Sequence, residues 1–239
     1  MKKIWLAGSS LFLFAAGSSV SIATDEQLTN LLSLEEGTLP VVVPKSYGGW
    51  NAENLLDNGT KSGWACAKGS VKDNVFVFEM TEPAVLERFE FDNSSVDTQN
   101  AGAKDILVEV SNISETAGFA KVLETALADK RDGQSFPSAK APASRWVRLT
   151  IRTNQGSTTY SELFSFRGYG KRPAVSTPEN ISGTYSTNYS NFHLRQQGTA
   201  LSGCYEFKEG LLNGAIEGRV MKLTWQQNNG NGPAVMVFS

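Results

Sequence analysis

From residue 71 onward, apolar and polar residues alternate in one short segment after another: NVFVFEM (74–80), LERFEFDN (86–93), DILVEVS (105–111), FAKVLETAL (119–127), RWVRLTIRTN (145–154) and ELFSFRGYG (162–170). A period of two places every second side chain on the same face of a strand. The aromatic and β-branched content suits strands, and Gly, Asn, Asp and Ser punctuate the gaps. Strands with one apolar face need a second sheet to cover it, so the pattern predicts an all-β chain with an antiparallel jelly-roll β-sandwich over 40–170. No helical period is long enough to suggest a parallel α/β sheet. Upstream, TLPVVVPKSYGGW (38–50) reads as a brief strand between prolines. The segment 24–39 carries Leu28, Leu31, Leu32 and Leu34 at a helix-like spacing that Gly37 would end.

KRPAVSTPEN (171–180) interrupts the alternation with two prolines, charges and small polar residues, and predicts a linker over 171–178. Beyond it, residues 179–239 show short apolar segments separated by glycines at 183, 198, 203, 210, 214, 218 and 230. This predicts a smaller antiparallel β-meander, about six strands that could curl but hardly close a barrel. The last segment, PAVMVFS, stops at Ser239 with no turn or polar tail. An open apolar edge invites pairing, so either the barrel is cut short here, the preferred reading, or a partner covers the strand.

The amino terminus changes the compartment. Lys2 and Lys3 precede the apolar run IWLAGSSLFLFAAG, and Ser21-Ile22-Ala23 offers small residues where a signal peptidase cuts. A signal peptide over 1–23 and an exported protein, periplasmic or secreted, follow; an uncleaved anchor is the alternative. The chain carries 22 Lys+Arg against 24 Asp+Glu, and removing Lys2 and Lys3 leaves 20 against 24, a net −4. Mild acidity without a basic stripe argues against nucleic acid. No later run spans a bilayer. The only cysteines, Cys66 and Cys204, could form a disulfide in an oxidising compartment or stay as two buried thiols.

Catalytic patterns are missing. The single histidine, His193, lies in the alternating segment NFHLRQ, no GxSxG elbow accompanies it, and no phosphate-binding glycine motif occurs. Carboxylates are plentiful, but in alternating strands they read as solvated faces. The chain is therefore not expected to be an enzyme. One local pattern asks for an explanation: LLDNGTKSGW (55–64) sets Asp57 and small polar residues just before Trp64.

The segments NAENLLDNGTKSGW and RWVRLTIRTNQGSTTYSELFSFRGYG together resemble the discoidin or coagulation factor type C family, a galactose-binding-like β-sandwich also used by carbohydrate-binding modules. Asp57, Ser62 and Trp64 keep the family's spacing, with Asn58 in place of a usual Gly. Arg145 to Leu149, Glu162 and Tyr169-Gly170 match its closing pattern. The resemblance covers about residues 40–170. It implies one structural Ca²⁺, held by the Asp57 carboxylate, the Gly59 carbonyl, the Ser62 hydroxyl and carbonyl, and the Glu162 carboxylate, since Ca²⁺ takes six to eight oxygens at about 2.3–2.6 Å. A metal-free turn closed by Asp57 is the alternative. Trp64 would anchor the core with its indole N–H on a nearby carbonyl. In the tail, GTYSTNYSNFHLRQQGTALSGCYEF and GAIEGRVMKLTW are similar to calycin-type repeats, a pairing found in uncharacterised bacterial exported proteins.

Ligands of this family sit among loops at one end of the sandwich. The resemblance thus implies carbohydrate binding, with Tyr47 and Trp50 as an aromatic platform and Arg131, Asn154 and Gln155 as polar contacts. The competing reading is a protein–protein adaptor of the cell envelope, which predicts an exposed apolar patch on the meander. A carrier of hydrophobic ligands would need more strands than the chain contains.

Overall fold

The computed structural model describes residues 27–59, 62–174, 176–187 and 189–238. The expected signal peptide and its cleavage point after Ala23 lie outside them. The strands of the first unit are β1 (Thr29–Asn30), β2 (Leu39–Val42), β3 (Trp64–Ala65), β4 (Asn74–Ala84), β5 (Leu86–Asp92), β6 (Asp105–Ser111), β7 (Ala120–Ala126), β8 (Gln134–Pro137), β9 (Ser144–Ile151), β10 (Glu162–Leu163) and β11 (Ser165–Gly170). One sheet has the order β2-β4-β9-β6-β7 and the other β1-β11-β5-β8, with β10 paired to β3 beside them. All pairs between these strands are antiparallel.

The alternation read from the sequence is what fills the sandwich. In β9, Val147, Leu149 and Ile151 are buried while Trp146, Arg148 and Thr150 are half-buried on the other face. A chain of rings crosses the core, from Trp64 to Phe76 (centroids 4.9 Å), Phe76 to Phe78 (5.9 Å) and Phe78 to Phe166 (5.7 Å), with Phe89 and Phe91 on Phe166. The outward face carries cross-strand ion pairs instead, Arg145–Glu79 at 2.8 Å and Arg148–Glu109 at 2.7 Å.

Three local expectations are corrected. The leucines near the amino terminus form no regular helix: Leu34–Glu36 is one 3-10 turn, capped by Ser33 and ended by Gly37 at φ 75°. Leu31 and Leu32 enter the sandwich core and β1 joins a sheet, because the chain pairs with β11 and the Leu31 N–H donates to Gly168 O (2.8 Å). Gln134–Pro137, outside every alternating segment read from the sequence, pairs with β5, and buried Gln134 donates to Asn93 Oδ1, Ala128 O and Arg131 O. Trp64 is fully buried as expected, yet its indole N–H has no acceptor among the described residues.

The second unit contains β12 (Gly183–Ser186), β13 (Asn191–Gln197), β14 (Ala200–Tyr205), β15 (Gly210–Glu217), β16 (Val220–Gln227) and β17 (Gly230–Val237), paired in chain order as one six-stranded meander that does not close into a barrel. Gly198 (φ 61°) and Gly218 (φ 56°) open two-residue hairpins, the left-handed first position of a type II′ turn. The meander has its own apolar cluster, built on Leu194, Leu201, Tyr205, Leu212, Ile216, Met221 and Leu223. Charged contacts tie it to the sandwich. Arg172 bridges Glu36 (2.5 Å) and Glu217 (2.9 Å), Lys222 reaches Glu36 (3.2 Å), and Arg219 meets Glu82 (2.8 Å) while donating to Thr81 O (2.6 Å).

Candidate functional site

The turn at Asp57 closes on itself. Asp57 Oδ1 accepts the Gly59 N–H (2.7 Å) and Oδ2 accepts the Ser62 hydroxyl (2.5 Å). Asn58 takes the left-handed φ of 59° that a turn demands, and its Oδ1 accepts from Asn30 Nδ2 (2.8 Å). Small residues are needed here because a Cβ on Gly63 would lie 2.8 Å from the Leu163 carbonyl oxygen. The antiparallel pairing of β3 with β10 thereby holds the turn against the sheet, and Trp64 is delivered into the core.

The same β3–β10 pair builds a cleft on its other side. Tyr47, Trp50, Ala65, Asp97, Thr98, Tyr160 and Glu162 line a hollow of about 220 Å³. The 45–50 loop is strapped to β3: the Tyr47 N–H donates to Ala65 O (2.9 Å), the Trp50 N–H donates to Tyr47 O (3.0 Å), and Asn54 Nδ2 donates to Gly63 O (2.9 Å). Gly48, at φ 52°, supplies the left-handed residue within that turn. Tyr47 is 50% exposed and its ring stands 5.1 Å from the Tyr160 ring, tilted by 58°. Trp50 packs edge-on against Phe164 (5.7 Å), over a small cluster with Val96 and Ala101.

Glu162 sits in the floor, 7% exposed. Its backbone is fixed from two directions, by pairing with Ala65 and by bonds to Ala101 O and from the Ala103 N–H (both 2.8 Å). Burial pushes its carboxyl above the ordinary carboxylate value; a hydrogen bond with Thr98 opposes the shift and the charge of Asp97 adds to it. The Tyr160 hydroxyl is likewise pushed up, by desolvation first and then by Tyr47. Beneath the cleft Cys66 is buried, accepting the Ser161 N–H on sulfur (3.1 Å), and burial raises its thiol too.

The structure brings together only some of the residues singled out from sequence. Tyr47, Trp50 and Glu162 share the cleft. Asn154, expected as a ligand contact, spends its amide on the turn beneath Tyr160: Nδ2 donates to Ser157 O and Tyr160 O, and Oδ1 accepts the Gly156 N–H. It positions a wall. Gln155 Nε2 is tied to Leu127 O (2.9 Å), and exposed Arg131 meets Asn93 through its backbone. Neither lines the cleft. Of the residues expected around calcium, Asp57 accepts the Gly59 N–H and the Ser62 hydroxyl within its turn, and Glu162 lines the cleft with Asp97 and Thr98. Among the described residues no group of three acidic, His or Cys side chains is placed to hold a metal. The disulfide does not form: Cys66 is buried in the sandwich and Cys204 is exposed on the meander, both free thiols. His193 lies on β13, bonded through Nδ1 to Thr184 Oγ1 (2.9 Å). Tyr160, Asp97 and Thr98 were not singled out beforehand. They fall in loops, whose sequence carries no periodicity to say which side chains turn inward.

The meander offers a second kind of surface. Its uncovered face bears two adjoining apolar hollows, about 290 and 420 Å³, which share Phe192 and Met236. Tyr185, Tyr189, Trp225 and Phe238 stand around them.

No family model matches the chain, and no curated protein does. Solved structures do. A fragment from Bacteroides thetaiotaomicron named for a chitobiase is 19% identical, with a TM-score of 0.53 over 64% of this chain and 98% of that one. The C-terminal domain of a chitobiase from Bacteroides fragilis is 13% identical, with a TM-score of 0.50 over 59% and 97%. The family 32 carbohydrate-binding module of Clostridium perfringens NanJ, solved in complex with galactose, is 11% identical, with a TM-score of 0.50 over 60% and 99%. The sandwich therefore has the discoidin, or galactose-binding-like, fold of such modules.

Proposed function

We propose that this is an exported, noncatalytic protein that binds carbohydrate of the cell envelope in the cleft over Glu162. One observation carries the reading: a tilted pair of tyrosine rings, Tyr47 exposed and Tyr160 half-buried, shares a cleft with a buried carboxylate that has a threonine beside it. Sugars present C–H faces that pack on aromatic rings and hydroxyls that donate to a fixed acceptor. The fold shared with carbohydrate-binding modules supports the same conclusion. Export rests on the basic and apolar start of the sequence. No helix among the described residues is long and apolar enough to cross a membrane. The Asp57 turn is read as metal-free, because both of its carboxylate oxygens are already bonded within the turn.

A glycan array on residues 24–239, run with and without a chelator, tests this. Binding that Tyr47→Ala and Tyr160→Ala each weaken at least tenfold, and that the chelator leaves alone, supports the reading. A blank from folded protein overturns it. That blank would favour the adaptor reading, whose own support is the uncovered apolar face of the meander.

A further inference from the structure

The outer face of the meander carries a side-chain cluster of its own. Side chains alternate along β13 and β14, so Phe192, Leu194 and Tyr205 turn to the apolar cluster while His193 and Cys204 turn away from it. His193 stands directly opposite Cys204 in the β13–β14 register, and Thr184 stands opposite His193 on β12. Opposed residues on one face have Cβ atoms about 4.5–5.5 Å apart. Cys204 is an exposed free thiol. His193 Nδ1 is bonded to Thr184 Oγ1 (2.9 Å), and Nε2 lies 3.8 Å from Glu206 Oε1. Thr184 thus occupies the ring nitrogen on the β12 side, and Nε2 is turned toward the strand of Cys204, which Glu206 follows. Asn191 Nδ2 holds that carboxylate by donating to both of its oxygens (3.2 Å each). Arg195 adds a positive charge two residues along β13, opposite Ser202. From β15, Leu211 stands opposite Cys204 and Asn213 opposite Ser202.

A cysteine reacts as its thiolate, which an exposed setting with positive charge nearby favours. A nucleophile is activated by a base beside it, and the base by a third group that orients it. Here the thiol, the imidazole and the groups that fix the imidazole come from three neighbouring strands. We infer that Cys204 is a modification site, where a small-molecule disulfide is captured as a mixed disulfide with His193 as the base. When Nδ1 donates to Thr184, Nε2 keeps its lone pair and accepts the thiol proton; Glu206 then faces an imidazolium. The Cys204 sulfur attacks one sulfur of the incoming R–S–S–R. That S–S bond breaks, the Cys204–S–S–R bond forms, and the departing RS⁻ takes the proton back from the imidazolium. The incoming disulfide is the oxidant and the released thiol is its reduced product. An oxidising compartment, which export would give, supplies such disulfides. Cys66 is buried in the sandwich and out of reach of the same reagent.

The test is timed incubation of residues 24–239 with glutathione disulfide, followed by mass spectrometry of the intact chain and of its peptides. One adduct per folded chain is expected, on Cys204, with Cys66 modified only after unfolding in urea. An unassisted thiol ionises near pH 8.5 and needs no base above it. His193→Gln should therefore slow the reaction at least fivefold at pH 6.5 and less than twofold at pH 9. Thr184→Val, which removes the partner of Nδ1, should slow it about twofold at pH 6.5. Glu206→Gln should also slow it about twofold, although losing a negative charge would by itself speed the approach of an anionic disulfide. Circular dichroism checks that each variant is folded, and if His193→Gln is not, Thr184→Val and Glu206→Gln carry the test. Equal rates in the wild type and the folded variants at pH 6.5 overturn the inference. So does a loss in His193→Gln that is the same at both pH values. An adduct on Cys66 of the folded chain, or a disulfide-linked pair of chains as the main product, overturns it as well.

Discussion

Glu162 is a residue whose cost to stability is legible in its surroundings. Its folded carboxyl titrates above the ordinary value because burial outweighs the Thr98 hydrogen bond. For such a group the folded state holds its proton more firmly than the unfolded state, so stability falls as pH rises through the folded value. Glu162→Gln should therefore raise the melting temperature at pH 7 and lose that advantage near pH 4, which thermal melts at the two pH values would show. Ligand binding should run the other way, fading in the wild type as acid protonates Glu162. Asp57 is the opposite case, because its two oxygens satisfy a Gly59 N–H and a Ser62 hydroxyl. Asp57→Ala is expected to cost about 1–2 kcal/mol by urea unfolding. The spacing of Asp57, Ser62 and Trp64 announced that turn in the sequence. The bonds of Asn154 could not be read there, because a loop amide looks the same whether it faces a ligand or its own turn.

Among the elements, glycine placement decides how closely strands approach. A Cβ on Gly214 would lie 2.1 Å from the Lys222 carbonyl oxygen, and one on Gly203 would lie 2.4 Å from that of His193. Both sites sit inside meander strands, where backbone would have to move to admit a side chain. Gly214→Val is expected to disrupt the meander while the sandwich keeps its buried-tryptophan signal from Trp64, as near-ultraviolet circular dichroism and limited proteolysis would report. The longer strands were plain from alternation, since one face of each meets a core. Strands of two to four residues, β1, β8 and β10, were not, because so few positions define no period. β8 depends on the buried amide of Gln134, a polar residue that pattern alone assigns to solvent.

At the scale of the molecule each unit has its own main hydrophobic core, and the sandwich adds the small cluster beneath Trp50. They are joined by charged contacts at Arg172, Arg219 and Lys222 rather than by a shared apolar interior. Partly exposed ion pairs of this sort contribute about 0–1 kcal/mol each and weaken with salt. Calorimetry in 0.5 M NaCl should resolve two unfolding transitions, and Arg172→Ala combined with Arg219→Ala should lower only the one belonging to the meander. The division into sandwich and meander was visible as a change of texture near residue 175. The clamp was not, because the charges of KRP resemble those of any solvated linker.

Gly37 packs where three parts of the chain meet: a Cβ there would lie 2.8 Å from both Thr81 Cγ2 and Val237 Cγ2. This gives the fold a schedule. Among the described residues β1 is the first strand and pairs only with β11, so during synthesis it waits for residue 170 before its sheet is complete. The niche at Gly37 waits longer, until β17 follows about two hundred residues behind it. Units generally fold in the order they are made. A chain halted after Gly170 thus has every described strand of the sandwich, its cleft included, whereas the join to the meander waits until β17 has been made.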